Sequence, residues 1–277
     1  MSEEGGYTGR TIVILGPTGS GKTGVGIEVA KEIGGEIISA DSRTIFKGAD
    51  LGTAKPSIEE REGVPHFGFD LVFPDERFTV KDWKDYAEKK INEIKRRGNV
   101  PIIVGGTGLY IDALIYDYKF KATSRGYGKD RGSCIKNLNG KNGSLKCNDF
   151  DEYPDRKEIS EEYVLFGIKT ASDELRERLK ERANKLFVQE LYDETRFLAE
   201  KYGWDNQVMT GNIYRTVRKL MNGEIDRTEA IELNVIDDWH LAKRQMTWFK
   251  RNENILWLPL EKIKPSVIKY IQNEQRK

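Results

Sequence analysis

The feature that most constrains the fold is a glycine-rich octapeptide that directly follows a short apolar run. Residues 16–23 read Gly-Pro-Thr-Gly-Ser-Gly-Lys-Thr, which fits the pattern G-x-x-x-x-G-K-[ST]. The run at 11–15 is rich in β-branched residues and predicts a buried parallel strand, and 22–33 predicts a helix that ends at Gly34. A phosphate-binding loop requires this order of strand, loop and helix.

The residue types in this loop indicate what it binds. Glycines allow backbone N–H groups to turn inward around a diphosphate, and the N-terminus of the following helix adds partial positive charge. Lys22 adds a full positive charge, and the hydroxyl of Thr23 is placed to hold Mg²⁺. The predicted diphosphate-binding residues of the loop are Gly16, Pro17, Thr18, Gly19, Ser20, Gly21, Lys22 and Thr23.

Strands and helices alternate along most of the chain, which predicts an α/β fold. We expect a P-loop-type parallel sheet flanked by helices, with a helical C-terminal part. Ser172 is placed to cap one long helix, and Thr79 could cap another, with Asp82 in the capping-box position. The other predicted strands are 36–40, 100–104, 163–169 and 255–258, and the other predicted helices are 79–97, one from about 109, 173–202, 212–221, 227–251 and 265–275.

Residues 121–160 differ in composition from the rest of the chain. From 121 to 150 there are seven basic and two acidic residues, many glycines and asparagines, and almost no apolar periodicity. This favours a flexible surface insertion, and a lid or a nucleic-acid contact is the alternative because basic segments suit phosphate. We therefore expect three parts: 1–120 as the first part of the core, 121–160 as a basic insertion, and 161–277 as the remainder of the core with the C-terminal helices.

Charge and composition exclude several classes of protein. Lysine plus arginine is 46 and aspartate plus glutamate is 45, a net charge of +1, so any basic surface must be local. No apolar run approaches the roughly 18 residues of a membrane span, and the polar, acidic N-terminus is unlike a secretory signal. Two cysteines, Cys134 and Cys147, cannot form a disulfide framework. We expect a cytoplasmic protein with no membrane partner.

Two features argue against an ordinary ATPase or GTPase. The strand at 100–104 is followed by Gly-Gly-Thr and not by the acidic residue that holds magnesium in such enzymes. The strand at 36–40 is followed by Asp41, and ligands of parallel sheets lie at the carboxyl ends of the strands. Asp41 therefore either faces the phosphate loop, where it could accept a proton from a nucleophile, or serves as a turn aspartate.

Five blocks carry a resemblance to a known family. They are the loop at 16–23, SADSRTIFKGADLGTAKPS at 39–57, VPHFGFDLVFPDERFTV at 64–80, VGGTGLY at 104–110 and AKRQMTWFKR at 242–251. In this order they resemble the tRNA dimethylallyltransferase (tRNA isopentenyltransferase) family, over residues 11 to about 258.

The resemblance implies an activity and its partners. The family transfers a dimethylallyl group from dimethylallyl diphosphate to N6 of adenosine 37 in tRNAs that read codons beginning with U, and it releases diphosphate. The P-loop would hold the diphosphate of the donor, with Mg²⁺ as cofactor. We expect the protein to bind the anticodon loop of tRNA and to act as a monomer.

The resemblance also assigns residues. Asp41 matches the general base, Thr107 a threonine near the transfer site, and Arg182 an arginine that contacts diphosphate. With Lys22 these are the predicted catalytic residues, and Arg178 lies beside Arg182 on the same helix face. The alternatives are a helix cap for Thr107, solvated helix positions for the arginines and a core position for Trp248. The predicted tRNA-contacting residues are Asp41, Ser42, Arg43, Thr44, Thr107, Lys243, Arg244, Gln245 and Trp248.

The chain departs from the family pattern at three places. Thr44 stands where glutamine is common, and 211–214 read Gly-Asn-Ile-Tyr where a Gly-Tyr motif is expected. The helical insertion with a Gln-Arg-x-x-Arg signature that grips the anticodon stem is absent from 118–160, where the basic segment stands as a reduced counterpart. Prenylation of AMP or ADP, a P-loop small-molecule kinase and an RNA-binding protein without catalysis therefore stay open as alternatives.

Overall fold

The computed structural model describes residues 6–120, 158–274 and 276 of the 277. Within these residues six strands form one parallel sheet in the order β3-β2-β4-β1-β5-β6. The α/β expectation is confirmed. The predicted basic insertion lies outside the described residues, except for 158–160.

The elements follow the expected alternation. The strands are β1 (Thr11–Leu15), β2 (Gly35–Ala40), β3 (His66–Phe67), β4 (Val100–Gly105), β5 (Tyr163–Ile168) and β6 (Ile255–Leu258). The helices are α1 (Lys22–Ile33), α2 (Val80–Arg96), α3 (Gly108–Ile115), α4 (Ser172–Leu186), α5 (Gln189–Tyr202), α6 (Asn212–Met221), α7 (Arg227–Phe249) and α8 (Leu260–Glu274). A 3₁₀ turn at Val208–Thr210 precedes α6.

Both faces of the sheet are buried. Successive residues of a strand point to opposite faces, so each strand contributes side chains to two cores. Val13 and Leu15 of β1 pack in the core formed with α2 and α3, whereas Ile12 and Ile14 pack in the core formed with α1 and α8. A third core joins α4, α5, α6 and α7 to the segment after β2, through Phe46. The helical C-terminal part therefore covers the carboxyl side of β2.

Two expectations about secondary structure are wrong. The predicted helix 173–202 is two helices, α4 and α5, because Val188 is extended (φ −112°, ψ 168°). Phe187 and Leu191, on either side of the break, face the same core, so the apolar periodicity continues across it. Ser172 is the first residue of α4 and makes no cap. The strand β3 was missed because two residues are too few to show a period.

One predicted local structure is confirmed in detail. The hydroxyl of Thr79 accepts a hydrogen bond from the N–H of Asp82 at 3.2 Å, and the carboxylate of Asp82 accepts one from the N–H of Thr79 at 2.8 Å. This capping box fixes the start of α2. In the described part of the chain, the helices are too short or too polar to cross a bilayer.

Candidate active site

Three loops leave the sheet at the same level and meet at one edge. Gly105, the last residue of β4, pairs with Leu15 on one side and with Ala40 on the other. The loops that follow β1, β2 and β4 therefore begin side by side. A Cβ at Gly105 would lie 2.2 Å from the carbonyl oxygen of Ala40, so only glycine allows this close approach.

The loop after β1 has the geometry of a phosphate cradle. Gly19 and Gly21 have positive φ angles of 76° and 86°, which glycine adopts without a steric penalty. Lys22 begins α1, and its Nζ donates to the carbonyl of Pro17 at 3.1 Å. Burial lowers the pKa of Lys22 from its ordinary value to about 8, while the charge of Asp41 raises it and that of Arg182 lowers it. The lysine is therefore close to two charged groups of the predicted site.

A cavity of about 340 Å³ lies between these loops and the helical part. Most of the residues proposed from the sequence line it, although they come from five separate stretches of the chain. They are Thr18, Lys22, Thr23, Asp41, Ser42, Arg43, Thr44, Thr107, Arg182, Arg244 and Gln245.

Asp41 is a turn aspartate and also lies in the cavity, beside the phosphate loop. Its Oδ1 accepts a hydrogen bond from the N–H of Arg43 at 2.9 Å, as in a turn aspartate. It also lines the cavity, and its negative charge raises the pKa of Lys22. The turn holds the carboxylate at the carboxyl end of β2, beside the phosphate loop.

Thr107 joins the loop after β4 to the loop that carries Asp41. Its hydroxyl accepts a hydrogen bond from the N–H of Ser42 at 3.0 Å and lies 3.4 Å from the Ser42 hydroxyl. Its own N–H donates to Ala40 at 3.0 Å. Thr107 is the N-cap residue of α3, as the alternative had it, although its hydroxyl makes no cap hydrogen bond.

The next two residues of the loop after β2, Arg43 and Thr44, are held by hydrogen bonds to other parts of the chain. Thr44 is 5% exposed, and its hydroxyl lies 3.1 Å from that of Ser39, so it buttresses the turn as well as lining the cavity. The guanidinium of Arg43 donates to the carbonyl of Gln207 at 2.8 Å and to the hydroxyl of Thr210 at 3.0 Å. Arg43 therefore ties this loop to the turn before α6.

Arg178 and Arg182 of α4 both contact the phosphate loop, from different sides. Arg182 lines the cavity, and its Nη1 donates to the hydroxyl of Thr18 at 2.9 Å. Arg178 lies outside the cavity, where its Nη1 donates to the carbonyl of Ser20 at 3.1 Å and its Nη2 pairs with Glu174 at 2.6 Å. Neither is merely a solvated helix residue. Arg182 alone of the two is placed to meet a ligand in the cavity.

Gln245 joins α7 to two of the loops. Its Oε1 accepts a hydrogen bond from the N–H of Thr18 at 2.8 Å, and its Nε2 donates to the carbonyl of Gly106 at 2.9 Å. A Cβ at Gly106 would lie 2.6 Å from Nε2. The amide therefore fixes the phosphate loop against the loop after β4.

The remaining α7 residues have different surroundings. Trp248 is half-buried and packs against the core next to Gly108, and its Nε1 donates to Asp112 at 3.0 Å, which favours the core alternative. Lys243 is exposed, with its Nζ 5.3 Å from the ring centroid of Trp239. These two residues lie outside the lining of the cavity.

Part of the cavity wall was not predicted from the sequence. Asn234, Asp238 and Leu241 line it from the same face of α7 as the predicted Gln245, and this helical spacing is a signal that the sequence contained. The other missed residues carry no such signal. They include Gly52, Thr53, Ala54, His66, Asn212 and Tyr214.

Glu194 of α5 holds the segment after β2 that forms part of the cavity wall. Its carboxylate accepts hydrogen bonds from the successive N–H groups of Asp50, Leu51 and Gly52 at 2.9, 2.7 and 2.9 Å. It also accepts one from the hydroxyl of Tyr214 at 2.7 Å. A side chain outside the cavity therefore holds the loop that lines it.

Comparison with known proteins decides the family. The model of the IPP transferase family matches residues 44–142 and 135–252. This chain belongs to the IPP transferase family. It is 36% identical to the tRNA dimethylallyltransferase of Desulforudis audaxviator, over 90% of this chain and 92% of that protein, and 36% identical to that of Acetivibrio thermocellus, over 90% and 91%.

Solved structures of IPP transferases share the fold. The tRNA delta(2)-isopentenylpyrophosphate transferase of Staphylococcus epidermidis has a TM-score of 0.76 at 32% identity, over 97% of this chain and 99% of that one. The full-length tRNA isopentenylpyrophosphate transferase of Bacillus halodurans has a TM-score of 0.75 at 28% identity, over 95% and 96%. The family expected from the five sequence blocks is therefore confirmed.

The cavity of this IPP transferase also bears on the predicted metal. Within the described residues there is no cluster of three or more histidine, cysteine or acidic side chains that could enclose an ion. Mg²⁺ needs no such cluster, because it commonly takes one or two protein oxygens together with substrate phosphates. Thr23 and Asp41, whose side chains carry oxygen atoms, both line the cavity, so these residues fit Mg²⁺ bound with a diphosphate.

Proposed function

We propose that this protein transfers the dimethylallyl group of dimethylallyl diphosphate to N6 of adenosine 37 in tRNAs that read codons beginning with U. The names of its relatives and solved neighbours support tRNA as the acceptor. The observation that carries the chemistry is one cavity in which Asp41 faces a phosphate loop with Lys22 and Arg182. A prenyl donor with a diphosphate leaving group and an amine acceptor need those groups together.

The P-loop would promote the donor half of the reaction, in which dimethylallyl diphosphate loses its diphosphate. The allylic C–O bond breaks, and its electron pair stays on the departing diphosphate, which gains negative charge. The backbone N–H groups of the loop, the Lys22 ammonium and the Arg182 guanidinium would stabilise that charge. The hydrogen bond from Arg182 to Thr18 keeps the guanidinium beside the loop.

Asp41 would promote the acceptor half of the reaction, in which the adenine amine forms the new bond. An exocyclic adenine amine is a weak nucleophile, and a carboxylate that accepts its proton as the N–C bond forms lowers the barrier. The Ser42–Thr107 hydrogen bond fixes the segment that carries this carboxylate. The target base must leave its stack to enter the cavity, as in other enzymes that modify bases, and an unpaired anticodon loop allows this at low cost.

Thr23 would hold Mg²⁺ together with the oxygens of the diphosphate. When bound, the ion would neutralise part of the charge of the leaving group. Thr23 adjoins Lys22 at the start of α1, so metal and ammonium would act on the same diphosphate.

The contacts to tRNA would come from the rim of the cavity. Ser42, Arg43 and Arg244 line it, and the exposed Lys243 is placed one residue before Arg244 on α7. Cationic side chains of this kind bind phosphates and position an RNA, while contacts inside the cavity select the base. We place the enzyme in the cytoplasm, as a monomer.

A transfer assay tests the proposal. Labelled dimethylallyl diphosphate and Mg²⁺ are incubated with unmodified tRNA, with the same tRNA carrying guanosine at position 37, with AMP, or with ATP and candidate acceptors. We expect label on N6 of adenosine 37 in the first reaction only. Label on AMP alone, or phosphate transfer from ATP, would contradict the proposal.

A further inference from the structure

One side chain, Gln245 of α7, connects two loops that serve different halves of the reaction. Its Oε1 accepts a hydrogen bond from the N–H of Thr18 at 2.8 Å, and its Nε2 donates to the carbonyl of Gly106 at 2.9 Å. These partners fix the orientation of the amide, because an N–H requires an acceptor and a carbonyl requires a donor. The sequence predicts that Gln245 contacts tRNA, but in the structure both ends of its amide bind the protein itself.

On the donor side, Thr18 connects Gln245 to the groups that would hold diphosphate. The hydroxyl of Thr18 accepts a hydrogen bond from Nη1 of Arg182 at 2.9 Å. The carbonyl of Pro17, the residue before it, accepts one from Nζ of Lys22 at 3.1 Å. The partner of the Gln245 oxygen therefore belongs to the part of the loop that orients both cations.

On the acceptor side, Gly106 directly precedes the residue that holds the general base. The N–H of Thr107 donates to the carbonyl of Ala40 at 3.0 Å, and its hydroxyl accepts from the N–H of Ser42 at 3.0 Å. Ala40 and Ser42 lie on either side of Asp41 in the chain. The partner of the Gln245 nitrogen therefore adjoins a residue that grips Asp41 from both ends.

The contact between the amide and the two loops is close. A Cβ at Gly106 would lie 2.6 Å from Nε2 of Gln245 and 3.2 Å from the carbonyl oxygen of Gly16. Gln245 is half-buried and lines the cavity between the loops. A change in this side chain should therefore change the spacing of the loops.

We propose that Gln245 is a positioning residue: its amide sets the spacing between the phosphate loop and the loop that holds Asp41. That spacing governs how close the donor carbon comes to the acceptor amine, and the rate of bond formation depends steeply on this approach. The proposal rests on the function proposed above, because that function assigns the diphosphate to one loop and the amine to the other. Gln245 acts through the loops, and no bond is made or broken at its own atoms.

Gln245→Met tests this because it keeps the length of the side chain and removes both hydrogen bonds. We expect the single-turnover rate constant for transfer, with donor and tRNA both saturating, to fall about 10²-fold, as a misplacement of about 1 Å can cost. The Kd values for inorganic diphosphate and for tRNA should change little, because each loop keeps its own contacts. Glu232→Gln, at an exposed position of the same helix, should match the wild type in all three measurements.

Two other roles for Gln245 would give different results. If its side chain contacts tRNA, Gln245→Met should raise the Kd for tRNA and leave the rate constant at saturation unchanged. If it only stabilises the fold, Tm and the amplitude of the single turnover should fall, while the rate constant of the folded remainder stays the same. Either result would overturn the proposal.

Gly106→Ala approaches the same contact from the other side. Its added methyl group should displace the amide and slow transfer in the presence of Gln245, but should cost little further in a Gln245→Ala background, where the amide is absent. Losses that multiply in the double variant would contradict the proposal. If Gln245→Met does not fold, Gly106→Ala decides by itself, and an unchanged rate constant would refute the idea.

Failure of the proposed function would look different from failure of this proposal. A wild-type protein that transfers the prenyl group, with an equally fast Gln245→Met variant, would contradict the role of Gln245 alone. A wild-type protein that modifies no tRNA would contradict the function. Hydrogen exchange at the Thr18 N–H, which needs no turnover, then tests the link: it should be faster in Gln245→Met, and equal exchange would refute the proposal.

Discussion

The backbone N–H of Ser42 donates to the hydroxyl of Thr107 at 3.0 Å, and this contact joins the loop that carries Asp41 to the loop that follows β4. The N–H of Thr107 donates to the carbonyl of Ala40 at 3.0 Å, so the two loops are linked in both directions. The position of the proposed general base therefore depends on a threonine from another strand.

Thr107→Val should lower both turnover and stability. The substitution keeps the shape of the side chain but leaves the Ser42 N–H without its acceptor, at a cost of about 1–3 kcal/mol in the free energy of unfolding. We expect kcat to fall at least tenfold and Tm to drop, as measured by steady-state kinetics and calorimetry. Thr107→Ser keeps the hydroxyl and should behave much like the wild type. Equal loss in both variants would show that the hydroxyl alone does not preserve the site, which would contradict the prediction.

Asp41→Ala should lower turnover by about 10²–10⁴, the range for losing a general base, with little change in the affinity for dimethylallyl diphosphate. Transfer to tRNA under saturating donor measures the first effect, and equilibrium binding of the donor measures the second. Asp75→Ala, at an exposed position outside the cavity lining, is the control. Unchanged turnover in Asp41→Ala would refute the role of this carboxylate.

Binding of the donor should weaken as pH rises through about 8, because burial lowers the pKa of Lys22 to about 8. Below that pH the lysine is charged and attracts the diphosphate, and above it the charge is lost. We expect the Kd for dimethylallyl diphosphate to be level below about pH 7 and to increase above pH 8. In Lys22→Met the binding should be weaker throughout and this bend should vanish. A bend that persists in the variant would place the titrating group elsewhere.

Neutralising the cationic end of α7 should weaken RNA binding across all sequences. Lys243 and Arg244 are exposed next to the cavity, and each phosphate contact removed should lower the slope of log affinity against log salt by about 1. Filter binding of tRNA at several salt concentrations measures this for Lys243→Ala and Arg244→Ala. Lys269→Ala, on the exposed face of α8, should leave the slope as it is. The same slope in all three variants would exclude this part of α7 from the RNA interface.

The local features of the protein could be predicted from the sequence because they depend on neighbouring residues. The strand, glycine-rich loop and helix at 11–33 and the capping box at Thr79 and Asp82 were found in this way. Glycine conformations, capping hydrogen bonds and apolar periodicity all act within a few residues. The position of Asp41 beside the phosphate loop could also be predicted, since parallel strands present their carboxyl ends at one edge.

Only the tertiary structure decided which distant groups complete the site. The hydrogen bonds that Glu194 accepts from three N–H groups, and the link that Gln245 makes between two loops, join residues far apart in the chain. It also separated Arg178 from the cavity although that residue shares a helix face with Arg182. Such contacts depend on how α4, α5 and α7 pack against the sheet edge, and this packing results from the sum of many apolar contacts that no short stretch of sequence contains.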